Sequence, residues 1–159
     1  MNTKKEVLEK NEMTLTIKSY SQNESFARST VAAFCVQANP TLEEINDVKT
    51  AVSEAVTNCV VHAYPNSVGD ILIKAEIQGN TLNVTISDWG VGIQDIKKAM
   101  EPFYTSKPEQ ERSGMGFTVM ESFMDIVEVS AQKPNGVKVE MTKTFKSKAS
   151  SSKAEDKNA

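Results

Sequence analysis

The chain has 159 residues, of which 39% are hydrophobic and 25% are charged, and its net charge is −3. These values are typical of one soluble globular domain, and the slight acidity gives no electrostatic reason to expect nucleic acid as a partner. No apolar run approaches the ~20 residues of a membrane-spanning helix, and the charged N-terminus leads into no hydrophobic signal core, so we expect neither membrane association nor export. In a reducing cytoplasm, Cys35 and Cys59 are expected to be free thiols that face the core.

The beginning of the chain predicts a strand and a helix. Apolar and polar residues alternate over residues 13–18, which indicates a half-buried strand. Ser21 and Glu24 form a Ser-x-x-Glu capping pattern. The helix that it opens is expected to bury Phe26 and to stop at Asn39, before a proline.

A second capping pattern, Thr41 with Glu44, predicts a long amphipathic helix that ends near Tyr64. Apolar residues recur along it at three- and four-residue steps, namely Ile45, Val48, Val52, Ala55, Cys59 and Ala63. This period is the signature of a helix with one face on the core.

Two alternating runs, residues 71–77 and 82–86, predict an antiparallel hairpin whose second strand leads directly into Asp88. A short helical pattern follows over residues 93–100. The polar stretch over residues 101–113 has no apolar period.

The last part of the chain predicts one more helix and two strands. The helix is expected over residues 114–124 with Phe123 facing inward, and the strands over residues 126–131 and 137–141. The elements together favour an α/β (α+β) two-layer sandwich, in which helices cover one face of a mixed, mainly antiparallel sheet.

We expect this domain to occupy residues 13–145. An N-terminal extension, residues 1–12, precedes it. A Ser/Lys-rich tail, residues 146–159, follows and is predicted to be disordered.

Three polar residues recur at four-residue steps on the long helix. Glu54, Asn58 and His62 are therefore expected to share one stripe, away from the apolar side. An asparagine carbonyl is a hard oxygen ligand suited to Mg²⁺, which takes only one or two protein ligands, and a carboxylate one turn away can act as a general base. A solvated helix face would show the same pattern.

The second motif, Asp88-Trp-Gly-Val-Gly, stands where a predicted strand ends. Asp88 can accept a hydrogen bond from an exocyclic amine such as that of adenine. Gly90 and Gly92 would let the main chain pass close to a flat ring. Trp89 is interpreted as packing or as a lid, and a simple strand-ending turn explains the motif nearly as well.

The third motif is the segment Gly114-Met115-Gly116 at the start of a predicted helix. Free backbone amides and the helix dipole make such a position suitable for phosphate. Lys107 and Arg112 lie in the polar segment ahead of it and can reach the same phosphates. An ordinary surface loop would look similar, but the occurrence of all three motifs in this order favours a magnesium-nucleotide site.

The ordered set Glu-x-x-x-Asn, Asp-x-Gly-x-Gly and Gly-x-Gly resembles the Bergerat-type ATP-binding domain shared by histidine kinases, type II topoisomerases, Hsp90 and MutL. Residues 21–28, 52–58 and 111–118 narrow the resemblance to the anti-sigma F factors, a bacterial family of sporulation serine kinases. The resemblance covers residues 13–141.

The resemblance implies a role for each motif. Glu54 would be the base for the attacking serine, Asn58 would hold Mg²⁺, and Asp88 would read the adenine amine. The other nucleotide contacts would come from His62, Gly90, Gly92, Thr105, Lys107, Arg112, Gly114, Met115, Gly116 and Thr118. His62 could equally make a structural hydrogen bond, and Arg28 is either a partner contact or a solvated arginine.

The resemblance implies a cytoplasmic homodimer. It also implies a protein that holds the sporulation sigma factor F inactive when ATP and Mg²⁺ are bound, and that phosphorylates a small anti-anti-sigma factor on serine. A kinase of a stress-response sigma circuit would share this chemistry, and a nucleotide-switched binding module without catalysis is a further alternative. A histidine kinase fragment is disfavoured, because the only histidine, His62, lies in the nucleotide-site helix.

Overall fold

The computed structural model describes residues 10–101 and 116–146. Its five strands are β1 (Asn11–Lys18), β2 (Asp70–Gln78), β3 (Thr81–Asp88), β4 (Ile126–Ala131) and β5 (Val137–Thr144). Its helices are α1 (Asn23–Cys35), α2 (Leu42–Asn58), α3 (Ile96–Ala99) and α4 (Gly116–Phe123). A 3₁₀ turn (Val36–Ala38) follows α1, and a π-helical turn (Cys59–Ala63) follows α2.

The strands form one sheet in the order β1-β2-β3-β5-β4. The expected two-layer α+β fold is confirmed, but the expectation of a mixed sheet is wrong for the strands described here, because all four neighbouring pairs are antiparallel. Short connections explain this for two of the pairs, since tight hairpins join only antiparallel strands. One of these hairpins turns at Gly79, with φ +61°.

One face of the sheet is buried and the other is polar. Residues of β2 alternate between buried and more exposed positions, and Ile71 and Ile73 on the inner face are fully buried. The helices supply the other half of the core, with Val31 of α1, Val52 of α2 and Met120 of α4 completely covered. The helices therefore form one layer on one face of the sheet.

The predicted capping box of α2 is confirmed. The Thr41 hydroxyl accepts a hydrogen bond from the Glu44 amide at 3.1 Å, and the Glu44 carboxylate accepts one from the Thr41 amide at 2.9 Å. The second Glu44 oxygen accepts a hydrogen bond from the amide of Lys146 at 2.9 Å. This contact ties the chain just after β5 to the start of α2.

The predicted cap of α1 is wrong. The cap position is Gln22, without a side-chain hydrogen bond, because the amides of Asn23 and Glu24 bind the backbone carbonyls of Tyr20 and Ser21 instead. A backbone turn has taken over the role expected of the Ser21 hydroxyl.

Two aromatic residues expected in the core lie at its border or outside it. Phe26 is 54% exposed, because the buried stripe of α1 runs through its neighbour Ala27 and then Val31. Phe123 also reaches solvent, whereas Met120 and Met124 are buried. Apolar periodicity alone does not decide whether a single apolar residue beside the buried stripe of a helix is itself buried.

Both thiols are free and buried, as expected. Burial raises the pKa of Cys35 to about 12 and that of Cys59 well above its ordinary value. Within the described ranges no helix has the length and apolar character needed to cross a membrane.

The domain boundaries expected from the sequence differ from the strand limits by a few residues. Strand β1 begins at Asn11, two residues before the expected start of the domain. Phe145 is buried, and the Lys146 amide is bound to α2, so the folded part includes Lys146. The tail from residue 147 onward lies outside the described residues.

The capping box gives a stability prediction. Thr41→Ala leaves the Glu44 amide without its side-chain acceptor, so we expect the free energy of unfolding to fall by about 1 kcal/mol. Urea unfolding followed by circular dichroism measures it. Thr41→Ser keeps the hydroxyl and should stay within about 0.5 kcal/mol of the parent; equal losses in both variants would show that the hydroxyl is not the stabilising group.

Candidate functional site

The C-terminal half of α2 carries the first motif. Glu54 and Asn58 are both half-buried and, four residues apart on a regular helix, share one face. His62 lies four residues after Asn58, within a π-helical turn formed by residues 59–63. Single π turns inside helices are frequent at functional sites.

The π turn and the end of β3 meet at a buried carboxylate. Asp88 is 4% exposed. Its Oδ1 accepts hydrogen bonds from the amides of Gly90 at 3.1 Å and Val137 at 3.2 Å, and its Oδ2 accepts one from the thiol of Cys59 at 3.6 Å. Residues of three chain segments therefore hold this side chain in one orientation.

The two oxygens of Asp88 differ in what they can still accept. Among the described residues, Oδ1 has two amide donors, while Oδ2 has only a thiol, which is a weak donor. Burial raises the pKa of Asp88, although the hydrogen bonds from Gly90, Val137 and Cys59 partly oppose this. Oδ2 is consequently the atom best able to accept a further hydrogen bond from a ligand.

Two glycines allow the three segments to approach this closely. A Cβ on Gly90 would lie 2.1 Å from the carbonyl oxygen of Ala63, and a Cβ on Gly136, which has φ +124°, would lie 2.1 Å from the carbonyl oxygen of Asp88. The amide of Val91 also donates to the Ala63 carbonyl, at 3.0 Å. The turn after β3 is therefore packed backbone to backbone between the π turn and the β4–β5 hairpin.

Tyr64 supports the same turn from below. Its hydroxyl accepts a hydrogen bond from the amide of Trp89 and donates one to the carbonyl of Asp70, each at 2.8 Å. Trp89 is 38% exposed, so it lies at the surface and does not belong to the core. Gly92 lies in the left-handed region with φ +77°, where glycine is favoured.

Sequence reasoning did not find Cys59, Tyr64, Gly136 and Val137 as parts of this site. The Asn-Gly dipeptide at residues 135–136 is a turn signal, but nothing local to it indicates that the turn would meet Asp88. The buried thiol of Cys59 was recognised only as a core residue.

Part of the third motif is described. Gly116 is buried at the start of α4, Thr118 is half-buried on it, and α4 packs against α2. The predicted residues Thr105, Lys107, Arg112, Gly114 and Met115 lie outside the described residues.

Arg28 on α1 is half-buried and forms an ion pair with Glu24, with 2.7 Å between Nη1 and Oε1. The Arg28 side chain is therefore held by Glu24, one helical turn away, and is not fully solvated.

The described residues contain no group of three or more His, Cys, Asp or Glu side chains able to hold a metal ion. Asn58, with Glu54 one turn away, offers a hard oxygen donor of the kind that Mg²⁺ accepts. Mg²⁺ usually keeps several waters and is shared between one or two protein ligands and substrate phosphates. The residues therefore fit a magnesium ion that arrives with a nucleotide.

Asp88 gives a prediction about pH. Its pKa in the folded state is raised above the ordinary 3.8, so its contribution to stability is complete below that value and is lost as the pH rises through the folded pKa. Asp88→Asn keeps an oxygen for the two amides and has no charge to bury. The difference in unfolding free energy, variant minus parent, should therefore increase as the pH rises above about 4, as measured by urea titrations at each pH.

Asp88→Ala is the comparison variant, because it leaves the amides of Gly90 and Val137 unpaired. It should destabilise the protein by roughly 1–3 kcal/mol. A difference for Asp88→Asn that decreases with rising pH would contradict the raised pKa.

Known proteins share both the sequence and the fold. The family model described as a histidine kinase-like ATPase domain matches residues 20–143. The anti-sigma F factor of Thermoanaerobacter pseudethanolicus is 57% identical over 133 residues, which cover 84% of this chain and 93% of that protein. The anti-sigma F factor of Clostridium acetobutylicum is 56% identical over 135 residues, 85% of this chain and 94% of that protein.

A more distant likeness concerns the fold alone. The crystal structure of the RsbU and RsbW domains of a Mycobacterium tuberculosis protein matches with a TM-score of 0.60 and 16% identity, covering 85% of this chain and 32% of that one. The family match, the identity to the curated relatives and the site geometry agree. The chain belongs to the anti-sigma F factor family, within the histidine kinase-like ATPase domains.

Proposed function

We propose that this protein binds and inhibits the sporulation sigma factor F and, as a Mg-ATP-dependent serine kinase, phosphorylates the anti-anti-sigma factor that opposes it. The observation that carries the proposal is the contact between Cys59 and Asp88 at 3.6 Å. Cys59 directly follows Asn58, so this contact brings the proposed adenine-reading carboxylate and the proposed magnesium donor to one place. A bound nucleotide would need the carboxylate at its adenine end and the magnesium donor at its phosphate end.

The adenine end of the site is supported by the geometry of Asp88. Its Oδ2 can accept a hydrogen bond from the exocyclic amine of adenine, while Oδ1 is occupied by two amides. Guanine presents a carbonyl oxygen at the corresponding position, which a carboxylate would repel. The proposed pocket, lined also by Gly90, Gly92 and Thr118, is therefore expected to prefer ATP to GTP.

At the phosphate end, α2 and α4 would act together. Asn58 would ligate Mg²⁺ through its side-chain oxygen, and the bound ion would neutralise charge on the phosphates. The first amides of α4, beginning with those near Gly116, would point at the phosphates with the helix dipole behind them. Lys107 and Arg112 would add positive charge, and His62 would lie close to the same group.

Glu54 is proposed as the general base. It lies one turn before Asn58, about 6 Å along the helix axis, so it can reach a hydroxyl held in line with the transferred phosphoryl group. It would accept the serine proton as the oxygen attacks phosphorus, and the departing oxygen would remain on ADP. Positioning and charge neutralisation do most of the work in such a reaction.

The partner-binding part of the proposal concerns a homodimer whose affinity for sigma depends on the nucleotide. The exposed Phe26 and the ordered Arg28 lie on different sides of α1, and each would offer a contact for a protein partner. Sigma and the anti-anti-sigma factor would compete for the dimer. By linkage, a nucleotide that strengthens sigma binding is itself bound more tightly when sigma is present.

The base gives a testable prediction. Glu54→Gln keeps the size and hydrogen-bonding capacity of the side chain but not its basicity, so phosphate transfer to the antagonist should fall by at least about 100-fold while ATP still binds. Transfer of label from ATP to serine measures the first effect and calorimetry the second. Glu43→Gln, an exposed residue in the first turn of the same helix, is the control and should retain activity.

Co-purification with sigma factor F in ATP and in ADP tests the regulatory part. We expect retention of sigma with ATP and weaker retention with ADP. Recovery of a stress-response sigma factor instead would reassign the circuit. ATP binding with no label on serine, in the parent as in Glu54→Gln, would favour a nucleotide-switched binding module and overturn the kinase.

A further inference from the structure

Among the charged residues that the structure describes, Asp88 and Lys143 are the two that are buried, and the proposed function uses only Asp88. Lys143 lies near the end of β5 on the inner face of the sheet, two residues after the core residue Met141, and is 9% exposed. A buried ammonium group is unfavourable unless it is paired and hydrogen-bonded. The groups that surround it therefore indicate its purpose.

The ammonium group of Lys143 joins three elements. Its Nζ donates a hydrogen bond to the carbonyl oxygen of Phe123 at 2.6 Å and lies 3.4 Å from Oδ2 of Asp47. Phe123 is the last residue of α4, where helix carbonyls lack partners within the helix and a cation is favourable. Asp47 lies in the N-terminal half of α2. We call Lys143, Asp47 and the Phe123 carbonyl the Lys143 clasp.

The chain after α4 is fixed to the same strand by a second set of bonds. The Asp125 amide donates to the carbonyl of Thr142 at 2.9 Å, and the Asp125 carboxylate accepts from the amide of Thr144 at 2.7 Å. The C-terminal end of α4 is thus held on β5 from both sides of Lys143. The position of the N-terminal end of α4 therefore depends on the direction in which the helix axis leaves this anchor.

The dimensions of the two helices connect the clasp with the phosphate end of the site. Seven residues separate Asp47 from Glu54 along α2, and seven separate Phe123 from Gly116 along α4, which is about 10 Å in each case. Helix α4 packs against α2. If α4 runs antiparallel to α2, starting from the clasp, then Gly116 lies at the same level along the helix axis as Glu54.

We propose that Lys143 is a positioning residue for phosphate binding: by fixing the C-terminal end of α4 against Asp47 of α2, it sets where the first amides of α4 meet the nucleotide phosphates. This inference rests on the proposed function, since it concerns the same nucleotide. Asp88 is held by Cys59, Gly90 and Val137 and makes none of its described hydrogen bonds to α4. Loss of the clasp should therefore weaken binding of the phosphates and spare binding of the adenine.

The test compares ATP with adenosine in the full chain. Trp89, the only tryptophan and next to Asp88, reports binding through its fluorescence, and calorimetry with magnesium checks the values. Lys143→Met should raise the Kd for ATP about tenfold, equivalent to about 1.4 kcal/mol, and leave the Kd for adenosine within about twofold. Lys138→Met, on the outer face of the same strand, is the matched control and should change neither constant.

Two further variants keep the test decisive if Lys143→Met fails to fold. Lys143→Arg retains the cation and should recover most of the ATP affinity. Asp47→Asn retains the bond from Lys143 to Phe123 and should show a smaller loss, still selective for ATP. Folding of each variant is checked by thermal unfolding.

The possible outcomes separate this inference from the function on which it rests. Equal losses of ATP and adenosine affinity, or no loss of either, in variants of a parent that binds ATP would overturn the positioning role alone. A parent protein that binds no ATP would overturn the proposed function and the inference with it. A loss confined to ATP supports both.

Discussion

Water is largely excluded from the Asp88 carboxylate, and the arrangement of the site follows from that constraint. A buried charge is tolerated only when donors surround it, and here they come from a helix end, a strand-ending turn and a hairpin. These donors draw the π turn, β3 and β5 together, and glycines at residues 90 and 136 make the close approach possible. A side chain held in this way is already oriented before a ligand arrives, so the binding free energy is not spent on ordering it.

The two buried charges lie at different levels of α2. Asp88 is held beside the C-terminal end through Cys59, and Lys143 is held beside the N-terminal half through Asp47. The helix between them is regular and has a row of fully buried residues, Val48, Ala51, Val52 and Val56, against the rest of the core. A rigid helix of fixed rise therefore separates the proposed base end of the nucleotide site from the anchor of α4. This construction explains how groups from distant parts of the chain can keep their spacing without a direct contact.

Patterns that depend on near neighbours in the sequence were predicted well. The hairpin of β2 and β3, the capping box at Thr41 and the amphipathic course of α2 follow from period and local hydrogen bonding, and the structure confirms them. The π turn was not predicted, because the residues that widen a helix by one position do not alter the apolar repeat that precedes it. The exposure of Phe26 was missed for a related reason. At the border of the buried stripe, the apolar period does not show whether Phe26 or its neighbour Ala27 faces the core.

Long-range contacts of the site could not be predicted from the sequence. Motif order indicated that Asp88 and Asn58 would serve one ligand, but the donors to Asp88 include Val137, which lies 49 residues further along the chain. The strand predicted over residues 137–141 ended before Lys143, and the inward direction of this side chain follows only from the register of β5 with β3, where it stands opposite Leu82. Register of this kind depends on the whole sheet.

The span of the hydrogen bonds around Asp88 has a consequence for biosynthesis. One donor precedes the carboxylate by 29 residues and another follows it by 49, and the second donor belongs to β5, which lies between β3 and β4 in the sheet. A nascent chain on the ribosome would therefore lack a finished form of the proposed base pocket until nearly the entire domain had emerged. Within the proposed function, a truncated product without Val137 could not complete the base pocket, so it would be unable to sequester a transcription factor in a nucleotide-dependent manner.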